Sequence, residues 1–100
     1  MIIYSVYIET ESSIAKEWQD YMCKHHINEV MLTGCFVSAS FHKELECGEN
    51  ISWRVDYTLD SMEKLNEYLS KYADVLRNDV SNRFGNKFKA VRKIYEQIHI

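Results

Sequence analysis

Six side chains carry most of the chemistry this sequence can offer: Tyr7, His26, Ser40, His42, Arg54 and Asp56. Arg54 and Asp56 lie two residues apart, so on a strand they share one face. There a guanidinium can anchor a carboxylate ligand, or simply pair with its neighbouring aspartate. Ser40 and His42 repeat that spacing. No spacing in the chain fixes a nucleophile, a base and an orienting group, so a hydrolase triad is not indicated. His25 and His26 precede Glu29 by four and three residues, which puts a histidine and a carboxylate on one helix face. That supplies two metal ligands at most, and without an HExxH motif no metal site is expected. His26 is the candidate acid or base if it faces a cavity.

These residues need elements to hold them. Ile51–Leu59 alternates without a break, with Ile51, Trp53, Val55, Tyr57 and Leu59 on one side and Ser52, Arg54, Asp56 and Thr58 on the other. Such alternation predicts a strand with one face on a core. Residues 2–9 and 35–42 read the same way, the latter placing Phe36, Ser38, Ser40 and His42 on the polar face. Residues 87–98 form a last, less regular strand. Between the first two strands, Ile14, Trp18, Tyr21/Met22 and His25 recur at helical spacing, after a cap at Ser12 or Ser13. That helix extends to Leu32, with Gly34 as its left-handed stop. A hairpin at residues 46–50 calls for Gly48 at positive φ. A second helix starts with Asp60 as cap and Glu63 closing a capping box. It carries Leu65, Leu69, Tyr72, Leu76 and Val80 inward, with Tyr68 and Val75 beside them, and stops by Gly85.

The order β-α-β-β-α-β is the split βαβ, ferredoxin-like arrangement, an α+β fold in one domain spanning residues 1–100. Right-handed crossovers put both helices on one face of a four-stranded antiparallel sheet, with strands one and three central. Core parity leaves two hairpin registers open: His42 opposes either Ser52 or Arg54. The other face then carries Tyr7, Ser40, His42, Arg54 and Asp56 with Phe36. An exposed face of this kind is expected to be covered by a second copy, as in a dimeric α+β barrel.

Composition narrows the partners. A net charge of −3, with 46% hydrophobic and 27% charged residues, suits an ordinary soluble domain and gives no reason to expect nucleic acid or membrane. Arg83, Lys87, Lys89, Arg92 and Lys93 fit a solvated edge strand, where lysine opposes aggregation. The aromatic residues form no RNP-type signature. Cys23, Cys35 and Cys47 lack any CxxC pair, so free thiols in a reducing cytoplasm are expected, and no leader peptide is apparent.

Met1-Ile2-Ile3-Tyr4, Glu17-Trp18, the run His26-Ile27-Asn28-Glu29-Val30-Met31 before Thr33-Gly34, and Arg83-Phe84-Gly85-Asn86-Lys87-Phe88 together resemble a small bacterial family known as a domain of unknown function, DUF4286. The resemblance spans essentially the whole chain. It implies a ferredoxin-like fold related to dimeric α+β barrels and brings no established activity or cofactor. Asn28 stands where the family pattern has proline, and Arg54 and Asp56 stand where it has neutral residues. These departures count against the arginine–aspartate pair as a family-wide active site, whereas His26 and Arg83-Phe84-Gly85 match the pattern.

The functional expectation is a cytoplasmic homodimer binding a small polar or anionic ligand between the open sheet faces. The alternative is a cofactor-free enzyme, monooxygenase-like or isomerase-like, with His26 or His42 as base and Arg54 stabilising an enolate. A third reading is an interaction or regulatory module that uses the basic last strand.

Overall fold

A computed structural model describes all residues, Met1–Ile100. Strands β1 (Ile2–Thr10), β2 (Ser38–Lys43), β3 (Ile51–Leu59) and β4 (Phe88–Glu96) form one antiparallel sheet in the order β2-β3-β1-β4. β1 and β3 are central, as the alternation predicts. Helices cover one face only. A 3₁₀ turn (Ser12–Ile14) leads into α1 (Ala15–Tyr21), a π-helical segment (Met22–His26) and α2 (Ile27–Leu32). The second helical layer is α3 (Met62–Lys71) and α4 (Ala73–Phe84).

The core lies between helices and sheet. Trp18 packs on Phe84 and Phe88, each with ring centroids 5.0 Å away. Tyr4, Phe36, Tyr57 and Tyr68 form a second aromatic cluster. Trp53 is buried under Phe41, and its indole N–H donates to Thr10 Oγ1 at 3.0 Å, so a polar group held in the core keeps its hydrogen bond.

Several local expectations shift. Phe36 is not on the open face. The chain from Cys35 to Val37 precedes β2, so strand parity does not apply there, and both Cys35 and Phe36 turn into the core. The α3 cap is Ser61 rather than Asp60: extended at φ −156°, Ser61 accepts from the Lys64 amide at 3.3 Å. Neither Ser12 nor Ser13 caps the first helix, because the chain enters it through the 3₁₀ turn instead. The second helix is broken at Tyr72 (φ −123°), which resets its phase. Ala73, Val80 and Phe84 are then buried, while Tyr72 and Val75 are 36% and 64% exposed.

Positive φ falls only at Gly34 (77°) and Gly85 (61°), and not at Gly48 in the loop before β3. At Gly85, ψ is −132°, a region nearly closed to residues with a Cβ. A Cβ would meet no atom at either Gly48 or Gly85, so backbone conformation alone separates the two positions. Gly85→Ala is expected to destabilise the fold by about 1–3 kcal/mol, and Gly48→Ala by less than about 0.5 kcal/mol. Urea denaturation of both variants checks this, and equal losses would contradict it.

Candidate functional site

The sheet presents two faces with different polar accounting. On the open face, adjacent pairing registers place His42, Arg54, Tyr7 and Val91 in one row across the four strands. Ser40, Asp56, Ser5 and Lys93 form the next row. The hairpin thus adopts the register in which His42 opposes Arg54. Five of the six residues singled out from the sequence meet in these two rows.

Their polar groups already satisfy one another. Asp56 accepts from Ser5 Oγ at 2.7 Å and pairs with Arg54 Nε at 3.3 Å. His42 Nε2 and Ser40 Oγ lie 3.0 Å apart, and Ser38 bonds Thr58. The Tyr7 hydroxyl meets Tyr95 at 2.9 Å, with the Lys93 ammonium 5.5 Å above the Tyr7 ring. Val91, next to Tyr7, is 58% exposed, so this end of the face is apolar and uncovered.

His26 is elsewhere. It lines a cavity of about 280 Å³ on the helix side of the sheet, a volume just below the usual range for small-ligand sites. Strands contribute Tyr4, Val6, Val55 and Tyr57; β4 adds Phe88, Ala90 and Arg92; the helices add Trp18, Met22, Tyr68, Arg77 and Val80. Two buried side-chain atoms have no protein partner: Trp18 Nε1 and His26 Nδ1. Both belong to residues of this cavity.

The π-helical turn brings them together. In a regular α-helix, four residues overshoot one turn by about 40°, so a stripe of every fourth residue drifts. The wider π turn from Met22 to His26 absorbs one extra residue, and Trp18, Met22 and His26 all reach the cavity. His25, which regular spacing puts on the inner stripe, is exposed. The Tyr21 ring stacks on His26, with ring centroids 6.2 Å apart and planes 20° from parallel.

Electrostatics at this cavity are one-sided. Arg77 Nη2 donates to the Tyr4 hydroxyl at 2.9 Å, and Arg92, reaching back from the edge strand, interacts with the same hydroxyl. Burial and the Arg77 charge lower the Arg92 pKa below its ordinary value. Burial raises the Tyr57 phenol far above its usual range and pushes Tyr68 up to about 12, so both stay protonated. Burial, followed by the Arg92 charge and opposed by Asp79, holds His26 at about 4, so its imidazole is neutral at pH 7. Sequence reasoning passed over Trp18, Arg77 and Arg92 as site residues. Arg77 directly follows Leu76 of the inward stripe, which was the one available signal.

Comparison with known proteins agrees with the fold. The family model described as a domain of unknown function (DUF4286) matches residues 1–98. No curated protein matches the sequence. Among solved structures, an Arabidopsis thaliana protein, At3g17210, superposes with a TM-score of 0.75 at 13% identity, over 100% of this chain and 98% of that one. An ethyl tert-butyl ether d (EthD) family protein from Bacillus halodurans gives 0.70 at 10% identity, over 98% and 100%. A dimeric ferredoxin-like protein from an uncultured marine organism gives 0.69 at 9% identity, over 99% and 97%. At such identities the likeness establishes the ferredoxin-like α+β fold and nothing of the chemistry.

The His26 environment has a consequence for stability. Its folded pKa of about 4 lies below the unfolded value near 6.5, so the unfolded chain binds the extra proton first as pH falls. Stability linked to His26 is therefore complete above pH 6.5 and is lost as pH drops towards 4, by up to about 3 kcal/mol. His26→Leu should flatten the unfolding free energy across that window relative to wild type. Parallel profiles for the two proteins would contradict the assignment.

Proposed function

Since the chain belongs to the DUF4286 family, whose activity is not established, we propose a function from its two faces: a homodimer joined through the open sheet, each protomer binding a small, largely apolar molecule in the helix-side cavity. One observation carries the binding half. Buried polar atoms in folded proteins nearly always have partners, and Trp18 Nε1 and His26 Nδ1, both on residues of this cavity, have none in the protein. A bound molecule that meets them removes the penalty of about 1–3 kcal/mol for each unsatisfied group.

The open face supports the other half. Tyr7, Tyr95 and the exposed Val91 form an apolar end, and the polar rows beside them are internally paired, as an interface rim requires. The dimeric assembly of a ferredoxin-like relative is consistent with this reading. His42, Arg54, Asp56, Tyr7 and Ser40 are then contacts to the second copy, while His26 alone of the six serves the ligand. Three free cysteines suit a reducing cytoplasm.

A cofactor-free enzyme with His26 as base receives less support. An imidazole held at about 4 is neutral at pH 7 but is a weak proton acceptor, and general bases work best with a pKa near the operating pH. His42 lies on the other face, away from the cavity.

Two measurements test the proposal. Sedimentation at micromolar concentration should return a dimer, and Val91→Glu a folded monomer; a monomeric wild type would remove the interface. Nuclear magnetic resonance titration with one- and two-ring aromatic fragments should shift the Trp18 indole and His26 signals, and Ala90→Phe, which fills the cavity, should abolish those shifts. Shifts confined to Ser40, His42 and Arg54 would move the ligand to the open face.

A further inference from the structure

The cavity's polar groups are unbalanced in a way that specifies its ligand. Arg77 and Arg92 both line it, and neither forms a salt bridge: the ion pairs of the chain are Arg54–Asp56, Lys64–Glu67 and Lys71–Glu67. No aspartate or glutamate is among the lining residues. Arg77 donates to one neutral atom, the Tyr4 hydroxyl oxygen, at 2.9 Å, and the Arg92 guanidinium lies near the same hydroxyl. With its oxygen so occupied, the Tyr4 O–H is free to donate. The Trp18 indole is also a donor only.

Arg77 is half-buried and Arg92 reaches the cavity from the exposed edge strand; their like charges repel each other, and no lining side chain offers an anion to offset them. Two fixed cations and no carboxylate define the complement: a compact anionic group with several lone pairs, attached to an apolar body. The rest of the wall fits such a body, with Val6, Ile8, Met22, Val55, Val80, Phe88 and Ala90 supplying aliphatic and aromatic surface.

We infer that the ligand is a small, predominantly apolar carboxylic acid in its ionised form, its carboxylate held by Arg77, Arg92 and the Tyr4 hydroxyl. This rests on the cavity reading above and adds the chemical class. A planar carboxylate accepts from guanidinium forks in the plane of both groups, which a neutral ester of the same shape does not reproduce with comparable strength. The lowered Arg92 pKa accords with a cationic site that lacks a counterion.

The test is isothermal titration of the full chain with benzoate, 1-naphthoate and octanoate, each beside its methyl ester. At least one acid should bind about tenfold or more tightly than its ester. Arg92→Gln, on the solvent-facing edge strand, should reduce acid binding about tenfold and leave ester binding unchanged, and Arg77→Gln should do the same where thermal unfolding shows it folded. Arg54→Gln, on the other face, should change neither.

Equal binding of acids and esters overturns the inference while the cavity reading stands. Loss of the preference in Arg54→Gln, but not in Arg92→Gln, also overturns it, by placing the anion on the open face. Binding of no acid and no ester overturns both readings.

Discussion

The structure depends on how β1 is registered between β3 and β4. Opposing Tyr4 to Tyr57 and to Ile94 puts Tyr4, Val6 and Ile8 under the helices, and sends Ser5 and Tyr7 to the other side. A slip of one residue on either partner would exchange the faces, burying Asp56 and Lys93 and exposing Tyr57. Each candidate contact is downstream of that choice. The Ser5–Asp56–Arg54 chain exists because Ser5 opposes Asp56, and the Arg77–Tyr4 bond exists because Tyr4 points towards α4.

Much of this was legible in the sequence because strand parity is a simple rule. Unbroken alternation in Ile51–Leu59 and Ile2–Thr10 gave the central strands and their faces, and the grouping of Tyr7, Ser40, His42, Arg54 and Asp56 followed. The resemblance to the DUF4286 family pointed the same way, and the family match bears it out. What failed did so where a residue count leaves its ideal period. Phe36 lies before its strand begins. Tyr72 leaves the α region and resets the phase of the second helix. The π turn shifts the inward histidine from His25 to His26. Hydrophobic periodicity assumes 3.6 residues per turn, so a wider turn is invisible to it.

The cavity lies beside these departures from regular helices. A straight second helix with Tyr72 and Val75 facing inward would bring more side-chain volume against the sheet. The break leaves Ala73 buried and brings Arg77 and Val80 to the cavity, beside residues of β1 and β4. Beneath them, β4 offers Ala90, a small side chain, next to Arg92, whose stem can lie along apolar surface while its head reaches Tyr4. Interiors are otherwise close-packed, whereas this space of about 280 Å³, half-open to solvent, is left unfilled. It forgoes dispersion contacts that a larger residue at position 90 could supply.

Which face is the better candidate for a ligand turns on hydrogen-bond accounting rather than on which face looks more polar. The open face holds more charged and hydroxyl groups, yet Ser5, Ser38, Ser40, His42, Arg54, Asp56 and Tyr7 each have a partner within the sheet. A ligand there would have to displace bonds that already exist, gaining only the difference. The helix-side cavity is mostly apolar, but its few polar groups are unpaired or paired only with a neutral hydroxyl. In a low-dielectric setting such groups interact most strongly with whatever finally meets them. A sequence reading ranks sites by residue type and so favoured the crowded face; the structure ranks them by unmet demand, and that ordering puts Trp18, His26, Arg77 and Arg92 first.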